Sequence, residues 1–176
     1  MRPSEDCELC GLCKGRTNIV LPDGDPSSGI VFVGEGPGEN EDLQGRPFVG
    51  KSGKILSDMM EAAGFSRKDV LITNTVKCRP PNNRDPTPEE MHACSVFLHS
   101  EIIDAKLVIG LGKSACRDLM GFDGKMADIV NKETTIDVDG VKVRFIPAFH
   151  PAATIYNKQS RESLRETMRM VKEAMS

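Results

Sequence analysis

The stretch Ile30-Val31-Phe32-Val33-Gly34-Glu35-Gly36-Pro37-Gly38 joins a short apolar run directly to a glycine-rich loop. Consecutive apolar residues bounded by a turn signal predict a buried strand. A strand that runs into such a loop is typical of α/β folds, which place functional residues at the carboxyl ends of their strands. The stretch therefore predicts both the fold class and one edge of a functional site.

Apolar runs and helical patterns alternate along the rest of the chain. Buried strands are predicted at 70–72 and 107–111, and a hairpin at 136–149 that turns at Asp139-Gly140, a dipeptide that favours a type I′ turn. The spacing of apolar residues predicts helices at 51–63, 89–103, 113–120 and 161–174. This alternation predicts a single α/β domain over residues 1–176, with a mostly parallel sheet flanked by helices on both faces.

The composition excludes several classes of protein. A net charge of −3 gives no overall signal for nucleic acid, so any DNA binding would depend on local basic patches. No run approaches the roughly 18 apolar residues of a membrane span. The first residues also lack the apolar segment of a signal peptide. We therefore expect a cytoplasmic, monomeric protein that does not bind a membrane.

Four cysteines have a spacing typical of a metal site. Cys7 and Cys10 form a Cys-x2-Cys pair, and Cys78 and Cys94 flank a polar segment in the middle of the chain. In a reducing cytosol this pattern favours metal ligation over disulfides, with buried, inert thiols as the alternative. Thiolates alone suit either zinc or an iron-sulfur cluster. Cys13 offers another ligand, whereas Cys116 is expected to be a core thiol.

The glycine-rich loop does not match a nucleotide site. The G-x-G-x-x-G spacing is broken, and no lysine-serine pair of a phosphate-binding loop follows. Glu35, Glu39 and Glu41 would repel a phosphate. We therefore expect no nucleotide cofactor, and acidic residues in this position are better suited to orienting water or facing a developing cation.

Four strings follow one another along the chain: Gly34-Glu35-Gly36-Pro37-Gly38 with Gly45-Arg46-Pro47-Phe48-Val49-Gly50, Thr73-Asn74, Lys77-Cys78-Arg79-Pro80-Pro81, and His150-Pro151-Ala152-Ala153. They occur in the same order in family 4 uracil-DNA glycosylases, and the chain resembles that family along nearly its whole length. The resemblance implies an iron-sulfur enzyme that excises uracil from DNA, with a four-stranded parallel sheet between helices. It also implies a 4Fe-4S cluster held by Cys7, Cys10, Cys78 and Cys94.

Recognition of a flipped base needs an aromatic face and polar groups that match the base edge. Phe48 is the candidate for the aromatic face. The side-chain amide of Asn74 can accept from uracil N3–H and donate to O4, a pattern that cytosine reverses. Glu41 is a candidate for closing the pocket near C5, where it would exclude the methyl group of thymine.

Cleavage of the glycosidic bond develops positive charge on the sugar and negative charge on the departing base, so the site must stabilise both charges. Glu35 is the candidate for orienting or deprotonating the attacking water and for stabilising the sugar cation. His150, the one histidine that follows a predicted strand, is the candidate for hydrogen bonding to uracil O2. The backbone N–H of Gly36 is a second donor to the same oxygen.

Contacts to DNA are predicted on both sides of these motifs. Ile155 is a candidate wedge for the space left by the flipped base. The segment Thr154-Ile155-Tyr156 lacks the arginine that the family resemblance implies there, so the segment itself supplies no positive charge for a contact with DNA. Arg79 and Arg84, together with Lys14, Arg16 and Lys77, are predicted to form a phosphate-binding patch around the cysteine segments.

The last predicted helix carries a basic stripe with glutamates close by in sequence. We interpret the stripe as a solvated face with ion pairs and not as a nucleic-acid surface. Its members are Arg161, Arg165, Arg169 and Lys172.

Three functions compete at this point. The first is a monofunctional glycosylase acting on uracil-containing DNA, without strand cleavage because no lysine occupies a motif position suited to a Schiff base. The second keeps the fold and changes the base to hypoxanthine or another deaminated base. The third is a non-catalytic iron-sulfur protein for DNA binding or electron transfer, which would need none of Glu35, Asn74 and His150.

Overall fold

The computed structural model describes residues 1–176. It contains one six-stranded sheet in the order β1-β3-β2-β4-β6-β5. The strands are β1 (Asp23–Gly24), β2 (Ile30–Gly34), β3 (Leu71–Asn74), β4 (Leu107–Leu111), β5 (Thr134–Val138) and β6 (Val141–Ala148). The helices are α1 (Glu39–Gln44), α2 (Lys51–Ala62), α3 (Pro88–Ile102), α4 (Lys113–Met120) and α5 (Lys158–Ala174).

The expected four-stranded parallel sheet forms the centre of the larger one. Strands β3, β2, β4 and β6 are parallel, and β1 and β5 extend the sheet as antiparallel edge strands. The predicted hairpin forms as β5 and β6, with positive φ at Asp139 (49°) and Gly140 (88°), as a type I′ turn requires. The sequence did not predict β1 because a two-residue strand has no apolar pattern.

The alternation of side chains along the strands divides the core into two layers. Phe32 and Ile109 face one layer with α2 and α5, whereas Val31 and Val108 face the other with α3 and α4. Successive residues of a strand point to opposite faces, so fully buried parallel strands are apolar at every position. The predicted helices on both faces are therefore confirmed.

The connections between strands place the site. From β2 the chain passes to β3 on one side, and from β3 it crosses to β4 on the other side of β2. Open α/β sheets bind ligands in the crevice at such a reversal of strand order, beyond the carboxyl ends of the strands. No helix in the structure combines the length and the apolar character needed to cross a bilayer.

Candidate active site and cysteine pocket

One cavity of about 350 Å³ lies beyond the carboxyl ends of β2, β3 and β6. It collects the six residues that the sequence suggested for catalysis and base recognition, together with one of the suggested DNA contacts. These residues are Glu35, Gly36, Glu41, Phe48, Asn74, His150 and Arg84. Because the carboxyl ends of parallel strands share one edge of the sheet, motifs far apart in the chain meet here.

The loop after β3 contributes residues to which the sequence assigned no role. Pro80, Asn83 and Pro86 line the cavity together with the glycine-rich loop. Asn82 and Asn83 adopt left-handed backbone conformations, with φ of 53° and 57°, which asparagine tolerates better than most residues. In the sequence, two consecutive asparagines between prolines were the signal that could have predicted a tight loop here.

Glu35 lines this cavity, and its carboxylate is partly withdrawn from water. Burial raises its pKa, the negative charge of Asp85 raises it further, and the hydroxyl of Ser114 opposes both effects. The backbone of the loop is fixed to β3, since Thr75 and Val76 donate their N–H groups to the carbonyls of Gly34 (2.9 Å) and Glu35 (3.3 Å). A carboxylate with a raised pKa on a fixed loop is suited to exchange protons with a bound water.

Phe48 combines a core position with a face toward the cavity. Its side chain is buried, and its ring centroid lies 5.7 Å from that of His150. The residue has a φ of 51°, and Arg67 donates hydrogen bonds to the carbonyls of Pro47 and Phe48. Gly53 leaves the room that this turn needs, because a Cβ there would lie 1.8 Å from the Phe48 carbonyl oxygen. The conformation of Phe48 is thus imposed by its surroundings.

Glu41 organises the loop that carries Phe48. One carboxylate oxygen accepts from the Gly38 N–H (2.9 Å), and the other accepts from the N–H groups of Val49 (3.0 Å) and Gly50 (2.8 Å). These bonds join the glycine-rich loop to the start of α2. The sequence did not anticipate this role, and exclusion of thymine by Glu41 stays a prediction.

Asn74 is buried at the end of β3, and the approach of its side chain depends on Gly34. A Cβ at Gly34 would lie 2.6 Å from Asn74 Oδ1 and 2.5 Å from Phe48 Cζ. The backbone carbonyl of Asn74 accepts from Lys77 Nζ at 2.7 Å. Lys77 also forms an ion pair with Glu101 at 2.8 Å, and only 1% of its side chain is exposed.

The position of Lys77 corrects the predicted phosphate-binding patch. A lysine buried against a carboxylate and a carbonyl oxygen cannot reach DNA. Arg16 is also engaged, since it donates to the carbonyls of Cys7 (2.6 Å) and Glu5 (2.7 Å). Lys14 is exposed. The three basic residues therefore lie in different environments. Lys77 is buried, Arg16 is bound to the cysteine segment and Lys14 is exposed.

His150 presents a neutral ring to the cavity. Burial lowers its pKa to about 4, and the charge of Glu41 opposes this shift. Nδ1 accepts a hydrogen bond from the Ala152 N–H at 3.1 Å, so the proton of the neutral ring resides on Nε2. Gly112, with a φ of 93°, allows the close approach of the ring, because a Cβ there would lie 3.0 Å from His150 Cβ. The side chain is therefore a fixed hydrogen-bond donor near neutral pH.

A second pocket is lined by five cysteines from two distant parts of the chain. These are Cys7, Cys10, Cys13, Cys78 and Cys94. Apolar side chains close the pocket, and Arg16 Nη1 lies 3.6 Å from Cys78 Sγ. Burial is the main cause that raises the pKa of Cys78, and it raises that of Cys94 to about 11. Cys116 lies elsewhere, fully buried in the sheet core as predicted.

The donor set of this pocket is chemically suited to an iron-sulfur cluster or to zinc, since cysteine thiolates hold both. No three cysteine, histidine or acidic side chains converge closely enough to hold a single metal ion. The nearby guanidinium of Arg16 favours thiolate charge. Because Cys13 lines the same pocket, the choice of four ligands among the five cysteines stays open.

The suggested DNA contacts lie in different environments. Arg84 lines the cavity but forms two hydrogen bonds of 2.8 Å with the carboxylate of Glu90, whereas Arg79 donates to Asn83 Oδ1 at 2.8 Å. Ile155 is half-buried in a groove beside the cavity, and the next residue, Tyr156, is 94% exposed. The contact by Ile155 stays a prediction.

Comparisons with known proteins agree with the geometry. The family model for the uracil DNA glycosylase superfamily matches residues 21–172. The chain is 45% identical to the type-4 uracil-DNA glycosylase of Saccharolobus solfataricus, over 97% of this chain and 82% of the relative. It is 42% identical to that of Archaeoglobus fulgidus (98% and 90%) and 44% identical to that of Thermotoga maritima (97% and 88%). The chain therefore belongs to the uracil-DNA glycosylase superfamily.

Proposed function

We propose that this protein is a monofunctional uracil-DNA glycosylase, which flips uracil out of DNA and hydrolyses its glycosidic bond to leave an abasic site. The observation that carries the proposal is the single cavity in which Glu35, Phe48, Asn74 and His150 meet. An aromatic face, a fixed amide, a neutral imidazole donor and a carboxylate are the groups that base recognition and departure require. The named activity of the type-4 relatives supports the same conclusion.

Recognition of the base depends on the fixed amide of Asn74. With its oxygen toward N3–H and its nitrogen toward O4, it matches uracil and opposes the donor and acceptor pattern of cytosine. A buried mismatch of this kind costs about 1–3 kcal/mol for each unpaired group. The ring of Phe48 supplies the stacking surface, and the bonds of Glu41 to the loop hold that ring in position.

Departure of the base depends on His150. As negative charge develops on the pyrimidine, the Nε2–H of the neutral ring donates to O2, and the backbone N–H of Gly36, which lines the cavity, serves as a second donor. Because Ala152 fixes the tautomer, the donor is oriented before the reaction begins. Loss of one such preorganised donor typically raises the barrier by about 3–4 kcal/mol.

Glu35 acts on the sugar side of the bond. As a carboxylate it stabilises the cationic sugar, and it accepts a proton from the attacking water as the new C1′–O bond forms. No lysine lines the cavity. Since Lys77 is buried in an ion pair, the chain offers no amine there for a Schiff base, and the product is an abasic site in an intact strand.

A 4Fe-4S cluster would be held by Cys7, Cys10, Cys78 and Cys94, with Cys13 as an alternative ligand. When bound, it would supply a covalent link between the N-terminal segment and the loop beyond β3. That loop carries Pro80 and Asn83 to the cavity. The cluster is therefore expected to stabilise the wall of the site and to take no part in the reaction.

The test uses duplexes with one uracil opposite guanine or adenine, followed by alkali treatment and gel analysis. Wild type should produce alkali-labile sites, and Glu35→Ala should lose about 10²–10⁴-fold in rate. Glu39→Ala is the matched control, because Glu39 is an exposed acid near the same loop that does not line the cavity. An absence of alkali-labile sites with both wild type and Glu35→Ala would refute the proposed function, whereas equal, measurable rates would refute the role of Glu35.

Two parallel measurements address the alternatives. A hypoxanthine duplex should be a poor substrate, and preferential cleavage of it would favour the alternative base, which the comparisons do not support. An absence of base release in a brown, redox-active protein would favour the non-catalytic alternative.

Gel filtration and cell fractionation would test the monomeric state and the cytoplasmic location, which stay predictions.

A further inference from the structure

The basic stripe on α5 separates into two kinds of residue. Arg165 forms an ion pair with Glu162, and Arg169 pairs with Glu166 at 2.7 Å, as a solvated face predicts. Arg161 and Lys172 are in no ion pair, but Lys172 is exposed, whereas Arg161 is half-buried. The interpretation of the whole stripe as a solvated face is therefore wrong for its first member.

Arg161 is half-buried and bound to the backbone that follows His150. Its Nη2 donates to the carbonyls of Thr154 (3.2 Å) and Ile155 (3.4 Å). A guanidinium has five N–H donors, so three remain on Nε and Nη1. The two carbonyl contacts fix the plane of the group. Because a fixed, planar fork loses little side-chain entropy on binding, Arg161 is suited to hold a phosphate oxygen.

A groove of about 360 Å³ surrounds this side chain, between α2, the turn at Pro151–Thr154 and α5. Lys51, at the start of α2, lines the groove and is also in no ion pair. The carboxylate of Asp58, which lies in the groove, is paired with Lys54 at 3.2 Å. Two cations without carboxylate partners thus face one groove.

The groove borders the active-site cavity along two segments of chain. Ser52 and Ala152 line the cavity, whereas the adjacent Lys51 and the next turn at Ile155 line the groove. Ala152 and Ile155 are three positions apart at the end of the Pro151–Thr154 turn, which corresponds to about 6 Å along a 3-10 axis. A DNA strand rises about 3.4 Å per nucleotide. A strand whose flipped base occupies the cavity can therefore place a neighbouring phosphate in the groove.

We propose that the groove formed by Lys51, Ile55, Ile155 and Arg161 binds the phosphodiester backbone of the uracil-containing strand beside the flipped nucleotide. The inference rests on the proposed function and adds to it the residues that hold the strand. It also accounts for the missing arginine in the segment after His150. The positive charge comes from α5 instead, six residues beyond Ile155.

The experiment measures kcat/KM for uracil excision against salt concentration in three variants, Arg161→Gln, Lys51→Gln and Arg169→Gln. Each phosphate contact contributes about 0.9 to the slope of log affinity against log salt for duplex DNA. Arg161→Gln and Lys51→Gln should each reduce the slope by about that amount, mainly through KM. Arg169→Gln removes an equal charge from the same molecule, but from the paired face, and should leave the slope unchanged.

A structural role is separated from a phosphate contact by two further measurements. Arg161→Gln also removes the bonds to two carbonyls, so thermal unfolding is recorded for each variant. Lys51→Gln, at an exposed position, should keep the wild-type unfolding temperature while the slope falls. Slopes equal to wild type in Lys51→Gln and Arg161→Gln would overturn the inference, as would an equal fall in Arg169→Gln. Failure of wild type to release uracil would refute the proposed function instead.

Discussion

Replacement of Gly34 by alanine is expected to disable the site while the fold persists. Gly34 lies at the end of β2, between the ring of Phe48 and the amide of Asn74. An added Cβ would stand 2.5 Å from Phe48 Cζ and 2.6 Å from Asn74 Oδ1. Non-bonded carbon atoms prefer about 3.5–4.0 Å, so each side chain must retreat by about 1 Å. Both groups that recognise the base move at once.

The size of the effect follows from that displacement. A misplacement of about 1 Å can lower the rate about 10²-fold, because the reacting groups lose their alignment. Overpacking a core position typically costs about 1–3 kcal/mol of unfolding free energy. We therefore expect Gly34→Ala to remain folded, with kcat/KM on a uracil duplex about 10²-fold below wild type.

Gly110→Ala is the matched control. Gly110 lies in the neighbouring strand β4 and pairs in register with Val33. A Cβ there would stand 2.3 Å from Phe145 Cζ, in the other core layer and away from the cavity. The control should lose similar stability and keep its activity. Urea unfolding and single-turnover excision, measured on the same preparations, give both quantities.

Two outcomes would refute the reasoning. A folded Gly34→Ala variant with activity within about threefold of wild type would show that the contacts of Phe48 and Asn74 do not control catalysis. A loss in Gly110→Ala as large as that in Gly34→Ala would show that activity follows global stability and not the geometry of the cavity.

Further predictions concern the ionisable groups. The raised pKa of Glu35 should give kcat an acidic limb that rises with pH as the carboxylate ionises, and Glu35→Gln should lack that limb; an unchanged profile would exclude Glu35 as the base. The folded-state pKa of His150, about 4, lies below its ordinary value of 6.5, so the unfolded chain takes up the proton first as pH falls. The free energy of unfolding, measured with urea, should therefore decrease as the pH falls from 6.5 to 4, and this decrease should be smaller in His150→Gln. The same pH dependence in both proteins would contradict a neutral, buried His150. Lys77→Met should lower the free energy of unfolding by about 3–5 kcal/mol, because it leaves Glu101 buried without its partner. The double variant Lys77→Met/Glu101→Met should recover most of that stability. A double variant no more stable than Lys77→Met would argue against the ion pair.

Local patterns in the sequence were sufficient for the central sheet and for the positions of Glu35, Asn74 and His150. Each of these residues follows an apolar run, and parallel strands bring their carboxyl ends to one edge. The prediction of a shared site therefore needed only the strands and their direction. The Asp139-Gly140 turn was equally local, because two adjacent residues set its backbone conformation.

Other features depend on partners that no local pattern reveals. Lys77 was expected at the surface, but Glu101, 24 residues away, accepts its hydrogen bond in the interior. Glu41 was expected near uracil C5 and does line the cavity, but no local pattern predicted its hydrogen bonds from the N–H groups of Val49 and Gly50. Arg161 was grouped with exposed arginines, and two carbonyl groups set it apart.

The sequence by itself thus determined the fold class, the family resemblance and the chemical groups available for uracil excision, because periodicity and short motifs are properties of neighbouring residues. Only the tertiary structure decided the tautomer of His150, the burial of Lys77 and the two cations of the groove beside the cavity. The physical reason is that pKa, burial and hydrogen bonding depend on the distances between groups, and these distances exist only after distant segments have packed together.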